Sequence, residues 1–345
     1  MRRLYVYLLI SISIGTWLLS LYTINRCCEP TTVQNISYPE TMTPLEWKSG
    51  EIRRIYHHFD GRLGNMLFQY AAVTSIARQY NSTPCFNYNA LNEFFEYQKD
   101  VCVQSAPDTA THLTEESNYG TYMNFTIVQD TILHGYLQSY RYFDTDVIDS
   151  MQIKLRFKTE ARLILSHVLK MPSSQHRVAI HIREQHSAGE NNLIQLPDTV
   201  VPKHIYLRFP SPFFFENAMA YIRDKHPSAT FAVLSDNPEW CEQQTYLQHA
   251  DVQVVSSKNA PIVDLALIAE CDHVILTRGT FGWWGAYLGA SMRGGIVVYN
   301  AAEFDMLDPV NAEHVVLSDF YPAHWISIPI GTQLNMPNVY APNTY

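Results

Sequence analysis

Charge is scarce along this chain. Only 17% of its 345 residues are Asp, Glu, Lys or Arg, and the basic ones are fewer, 24 against 33 acids, for a formal net charge of −9. No Lys/Arg run is long enough to form a nucleic-acid face, so an anionic ligand must be held by a few local arginines. The six cysteines include no C-x-x-C pair, which removes the commonest zinc and redox frameworks. Internal repeats and low-complexity segments are also missing, which argues against a solenoid or a long disordered region. What remains is a chain that is 47% hydrophobic, enough for two α/β lobes.

Arg2 and Arg3 precede an uncharged stretch over residues 4–25 that ends at Arg26. Twenty-two residues at ~1.5 Å each reach roughly 33 Å, the thickness of a bilayer core. Residues 1–3 are expected to be a cytoplasmic tail and 4–25 a transmembrane signal-anchor. A cleaved signal peptide is the weaker alternative, because the apolar run outlasts a usual h-region and no A-x-A site follows. Residues 26–51, with Pro30, Pro39 and Pro44, read as an irregular stem. Cysteines suit an oxidising compartment. Cys85 with Cys102 and Cys241 with Cys271 are candidate bridges; buried free thiols are the alternative for the second pair. Asn35, Asn81 and Asn124 open N-x-S/T sequons, candidate glycosylation sites on a lumenal domain.

An N-terminal lobe is expected over 52–170. It begins with a strand (52–59), the turn Gly61-Arg62-Leu63-Gly64-Asn65 and a helix (65–80). Irregular, aromatic-rich chain follows, then a short strand over 133–136 and a largely helical stretch over 147–169. The C-terminal lobe, 171–345, alternates strands at 178–182, 230–234, 252–255, 273–276 and 295–299, the last expected, with helices at 212–226, 262–270 and 284–291. Such alternation predicts parallel sheets with right-handed crossovers. Ligands gather at the carboxyl ends of such strands.

Three junctions sit where a ligand would. The Gly61, Arg62, Gly64, Asn65 turn brings backbone N–H groups and one guanidinium to a helix start. Arg183 closes a buried strand, where a guanidinium is costly unless something anionic meets it, and its planar fork suits phosphate oxygens. His181 lies on the same face of the extended chain. Arg278, Gly279, Thr280 and Phe281 form a strand-to-helix turn with donors and a glycine. Asp236 ends another strand. Together these suggest a nucleotide diphosphate site. Asp144-Thr145-Asp146 has the form of an Asp-x-Asp cation pair, but it opens a helical stretch, where Asp acts as N-cap. Trp283 and Trp284 are expected to pack in the core or between lobes.

These motifs resemble, in order from about residue 53 to 300, the galactoside α1,2-fucosyltransferases of glycosyltransferase family eleven. The resemblance rests on Gly61-Arg-Leu-Gly-Asn65, Leu137-Gln-Ser-Tyr-Arg-Tyr-Phe143, Val178-Ala-Ile-His-Ile-Arg183 and Val233-Leu-Ser-Asp-Asn-Pro-Glu-Trp-Cys241. Asp264-Leu-Ala-Leu-Ile-Ala-Glu-Cys271 and Gly279-Thr-Phe-Gly-Trp-Trp-Gly-Ala-Tyr-Leu288 complete it. It implies an α/β fold of two facing Rossmann-like lobes (GT-B type) behind an N-terminal transmembrane helix. It also implies a Golgi single-pass type II membrane protein with its catalytic domain in the lumen. The donor would be GDP-β-L-fucose and the acceptor a β-galactoside, with inverting transfer and neither cofactor nor metal. Arg183 would neutralise the departing diphosphate, His181 and Asp236 would contact the nucleotide, and the Thr280 loop would hold the phosphates. Where the family writes His-x-Arg-Arg-Gly-Asp, this chain has Glu184 and His186 at the second arginine and the aspartate. His186 and Glu190, in the loop after the donor strand, are the candidate general bases. Two other readings stay open: a protein O-fucosyl or α1,6-fucosyl enzyme, and a non-catalytic lumenal binding protein on the same fold.

Overall fold

The computed structural model describes residues 53–96, 101–115, 120–184, 210–255, 258–300 and 315–328, with the backbone of 194–195 and 204–205. All lie in the unit running from Ile52 to Tyr345. The expected tail, anchor and stem, Cys27, Cys28, Asn35, His186 and Glu190 fall outside the described residues. Among the described residues no helix is long and apolar enough to cross a membrane.

The first sheet grows from β1 (Arg54–His57), which passes through the 61–65 turn into α1 (Leu63–Gln79). The strands that follow are β2 (Thr83–Phe86), β3 (Phe95–Glu96), β4 (Cys102–Val103), β5 (Thr111–Thr114) and β6 (Thr131–His134). All but β3 line up in parallel in the order β4-β2-β1-β6-β5. Cys85 and Cys102 face each other in register and form a disulfide. Asn81 and Asn124 are exposed.

The helix expected over 147–169 is interrupted. Asp144 caps α2 (Thr145–Ser150), accepting from the N–H groups of Asp146 and Val147, and Asp146 pairs with Arg78 at 2.6 Å. The chain then extends as β7 (Gln152–Ile153), paired antiparallel with β3, before α3 (Leu155–Leu163) and a π-helical turn (Ile164–Val168). Ile153 is buried, so a helical path there would have lifted an apolar anchor out of the core.

The second sheet is wholly parallel, in the order β12-β11-β8-β13-β14-β15. Its elements in chain order are β8 (Arg177–Ile182), the small pair β9 (Ile194–Gln195) and β10 (His204–Ile205), and α4 (Pro212–Lys225). Then come β11 (Thr230–Ser235), α5 (Pro238–Glu242), β12 (Val252–Val254), α6 (Pro261–Glu270), β13 (His273–Leu276), α7 (Thr280–Ala286), β14 (Val297–Asn300), α8 (Leu317–Phe320) and β15 (Ile326–Ile328). Two expectations are corrected. The strand at 297–300 is not the last, because β15 pairs beyond it. The helix expected to start at 284 starts at Thr280, with Gly279 (φ +89°) as its N-cap.

Every residue of β8 is buried, and its side chains alternate between two cores. Val178, Ile180 and Ile182 pack with Phe214, Phe215, Met219 and Ile222 of α4. Ala179 joins the larger core on the opposite face, with α6 and α7. That core crosses to α1: Phe68 stands 4.6 Å from Trp283, 5.2 Å from Trp284 and 5.9 Å from Phe320, ring centre to ring centre. Both tryptophans are buried as expected, and Trp283 Nε1 donates to Phe320 O at 2.9 Å. Burying such rings supplies a large share of core energy, so the glycine turn at the head of α1 and the start of α7 are held against a common aromatic block.

Candidate functional site

The second sheet's register builds the site. β13 pairs with β8 up to Leu276 opposite His181, and β11 pairs with β8 up to Ser235 opposite Ile182. One step further along the parallel strands, Arg278, Arg183 and Asp236 stand abreast at the carboxyl edge. The bonds agree. Arg183 Nη1 lies 2.9 Å from Asp236 Oδ2. Arg183 N–H donates to Thr277 Oγ1 at 3.1 Å, and Arg278 Nε donates to Arg183 O at 3.2 Å.

Arg183 keeps a quarter of its side chain exposed despite the ion pair. Burial lowers its affinity for the proton, Asp236 opposes this, and the nearby positive charge of Arg62 adds to it. The first helical turn therefore brings a second guanidinium towards Arg183, and Arg278 is nearly fully buried behind it. Two like charges near each other, with one carboxylate paired to Arg183, favour a further anion beside them.

Glu184, the departure from the family pattern, turns inward. It is 8% exposed, its N–H donates to Asp236 Oδ1 at 2.7 Å, and its Oε2 accepts from Asn237 Nδ2 at 2.8 Å. Both oxygens of Asp236 thus serve the strand end, one on Glu184 N–H and one on Arg183.

His181 is buried beneath α7. A Cβ at Gly282 would stand 2.3 Å from its Nδ1, so only glycine lets the helix lie this close. The Phe281 ring lies 5.6 Å away. Burial pulls the imidazole pKa down to about 4, Asp236 opposing and Arg183 adding, so the ring is neutral at pH 7. Its Nδ1 is buried without a hydrogen-bond partner. That nitrogen faces the backbone of Gly282, which closes it off on the α7 side.

The glycine turn meets α7 directly. A Cβ on Gly64 would lie 2.6 Å from Phe281 N and from Thr280 Oγ1. Thr280 Oγ1 donates to Asn65 Oδ1 at 2.8 Å, and Gln138 Nε2 donates to the same oxygen at 3.2 Å. The structure thus brings Gly61, Arg62, Gly64 and Asn65 into one neighbourhood with Arg278, Gly279, Thr280 and Phe281, beside Arg183, His181 and Asp236. Sequence reasoning assigned no role to Gln138, Thr277 or Asn237. Their signal was adjacency to the motif residues, which becomes visible only with the sheet register.

His176, His226 and His273 form the one group whose ligand atoms, within 4.8 Å of one another, could hold a metal among the described residues. The rings stack, with centres 3.9, 4.4 and 5.1 Å apart, instead of radiating from a point. His273 Nδ1 accepts the Ile296 N–H at 2.9 Å, which places its proton on Nε2, 3.1 Å from His176 Nδ1. That tautomer suits a hydrogen-bonded stack and opposes metal ligation. Cys241 and Cys271 carry buried free thiols, the second of the two readings for that pair.

Parallel sheets with arginines at the carboxyl edge of the strands define an α/β protein with basic side chains where such folds hold their ligands. Residues 199–328 match the family model for Glycosyl transferase family 11. Galactoside 2-alpha-L-fucosyltransferase Sec1 of Mus musculus is 26% identical over 300 residues, which cover 81% of this chain and 74% of that protein. Galactoside alpha-(1,2)-fucosyltransferase 1 of Alouatta belzebul is 28% identical over 257 residues, covering 70% and 66%. The fucosyltransferase NodZ from Bradyrhizobium aligns at a TM-score of 0.45 and 12% identity, over 70% of this chain and 94% of its own. The resemblance to family eleven is borne out, and the sequence matches support a fucosyltransferase.

Proposed function

We propose that this chain transfers L-fucose from GDP-β-L-fucose to the 2-hydroxyl of a terminal β-galactoside, with inversion and without a metal. The observation that carries the reading is the row Arg278, Arg183, Asp236, with Arg62 beside it. Charge accumulates on the diphosphate as the fucosyl bond breaks. Preorganised guanidinium donors at a partly buried strand edge stabilise that charge without reorganising. In this reading Arg183 meets the leaving phosphate, Arg62 and the loop at Thr280 hold its other oxygens, and the His181 ring contacts the nucleotide. The names of the matched relatives support the donor sugar and the acceptor linkage.

We place the reaction in the Golgi lumen, behind a single-pass anchor over residues 4–25, with Asn35, Asn81 and Asn124 as glycan acceptors. The general base is assigned to His186 or Glu190, outside the described residues.

Radiolabelled GDP-fucose with a phenyl β-galactoside tests the reading. The expected outcome is transfer that persists in EDTA and yields a 2-linked product. Label found only on peptide acceptors or in a 6-linkage would replace this reading with the neighbouring activities. Donor binding without transfer would make the chain a binding protein.

A further inference from the structure

Glu115 follows β5 and is fully buried, without a cation paired to it among the described residues. Its N–H extends the β5–β6 ladder by donating to His134 O at 2.9 Å. Its Oε2 accepts the Leu137 N–H at 2.8 Å, and the Tyr136 N–H also bonds the carboxyl. Oε1 is buried without a partner. The turn it grips is unusual: Gly135 has φ +119° and Leu137, a non-glycine, φ +52°. A Cβ on Gly135 would stand 2.6 Å from Glu115 Cβ, so turn and carboxyl are fitted to each other. A left-handed leucine persists only where its surroundings hold it.

The residue after that turn is Gln138, 3% exposed, whose amide donates to Asn65. Asn65 in turn accepts the Thr280 hydroxyl. At the other end, Ser139 Oγ donates to Asp319 O at 2.7 Å, and Asp319 Oδ1 pairs with Arg141 at 2.7 Å. The segment is therefore fastened at both ends, and Gln138 carries its hydrogen bond to the glycine turn.

We propose that Glu115 is a positioning residue: its buried carboxyl fixes the 135–137 turn, and through Gln138 and Asn65 it sets where Thr280 and the start of α7 stand. The inference rests on the donor-site reading above. Among the described residues, Tyr142 couples electrostatically to it, and Tyr136 on the turn and His134, whose carbonyl accepts its N–H, are the titratable residues that flank it. Burial raises the carboxyl to about 8, the Leu137 and Tyr136 N–H groups opposing. The acid is thus neutral at pH 7, and ionisation above about 8 places an unpaired charge in the core and loosens the grip.

The experiment uses the full chain with Glu115→Gln, which keeps an acceptor for Leu137 and cannot ionise, and Glu115→Ala, which removes it. Amide hydrogen exchange at Leu137 and Gln138 reads the turn, and GDP titration reads the site. Glu115→Ala is expected to speed exchange and weaken GDP binding about tenfold or more, while Glu115→Gln stays within about twofold of wild type. At pH 9 the wild type should exchange faster at these amides than Glu115→Gln at the same pH. Unchanged exchange in Glu115→Ala overturns the proposal, and so does faster exchange with unchanged GDP affinity. If the wild type itself binds no GDP, the donor reading fails and takes the role at the site with it. The exchange measurements still show whether the carboxyl holds the turn.

Discussion

The two ends of the second sheet both bury neutral histidines, yet treat them in opposite ways. At the amino end His273 is bonded on both ring nitrogens, to Ile296 N–H and to His176, and it stacks on His226. At the carboxyl end His181 has the same low pKa, about 4, but its Nδ1 has no partner, and a charged pair stands two residues away. The satisfied cluster behaves as packing. The quarter-exposed guanidinium of Arg183 leaves capacity for a ligand at that end.

The largest test of that contrast removes the charge at the carboxyl end. Arg183→Ala is expected to lower the initial rate of fucosyl transfer roughly 100- to 1000-fold, the worth of one preorganised donor. Its unfolding temperature should stay near that of the wild type, because Asp236 still accepts the Glu184 N–H. Arg183→Lys should recover only part of the rate, since an ammonium lacks the planar fork. A near-normal rate in the alanine variant would reduce the Arg183–Asp236 pair to a strand-end brace, like the histidine stack opposite.

A second test wedges the contact that joins the glycine turn to this end. Gly64→Ala puts a methyl 2.6 Å from Thr280 and Phe281 backbone atoms that cannot swing away. The expected cost is about 1–3 kcal/mol of stability, as for other overpacked positions, with a raised KM for the donor because Thr280 is displaced. Thermal unfolding and donor kinetics measured together decide the matter. Lost stability with an unchanged KM would detach the turn from the site.

Much of the second sheet was legible in the sequence because its strands are continuous apolar runs bounded by turn residues, as at 178–182 and 273–276. The first sheet was less so. Pro84 lies inside β2 and donates nothing to a ladder, which argues against an interior strand, and β5 reads Thr-His-Leu-Thr without an apolar run. β4 is two residues long. The motif residues Arg183, His181, Thr280 and Asn65 were visible as types suited to an anion. Their partners were not, since the Arg183–Asp236 pair follows from strands β8 and β11 being neighbours in one particular register. The inward turn of Glu184 onto Asn237 also depends on that register.

The smallest effect sharpens the comparison from the amino end. His273 has its pKa lowered to about 4 by burial, with His226 and His176 adding, and His226 is itself lowered by burial and its neighbours. Between about 4 and the ordinary value of 6.5 the unfolded chain binds more protons than the native one. Stability is therefore complete above pH 6.5 and is lost as pH falls towards 4. His57 and His181, also near 4, contribute to the same window, so the informative quantity is a difference between variants. His226→Phe keeps an aromatic ring on the stack and removes one positive charge beside His273. Its acid-unfolding midpoint should move slightly below that of the wild type, with equal stability at pH 8 and unchanged donor binding. A midpoint that stays put would mean that the imidazoles titrate independently, and that burial alone, as at His181, sets the low value at this end too.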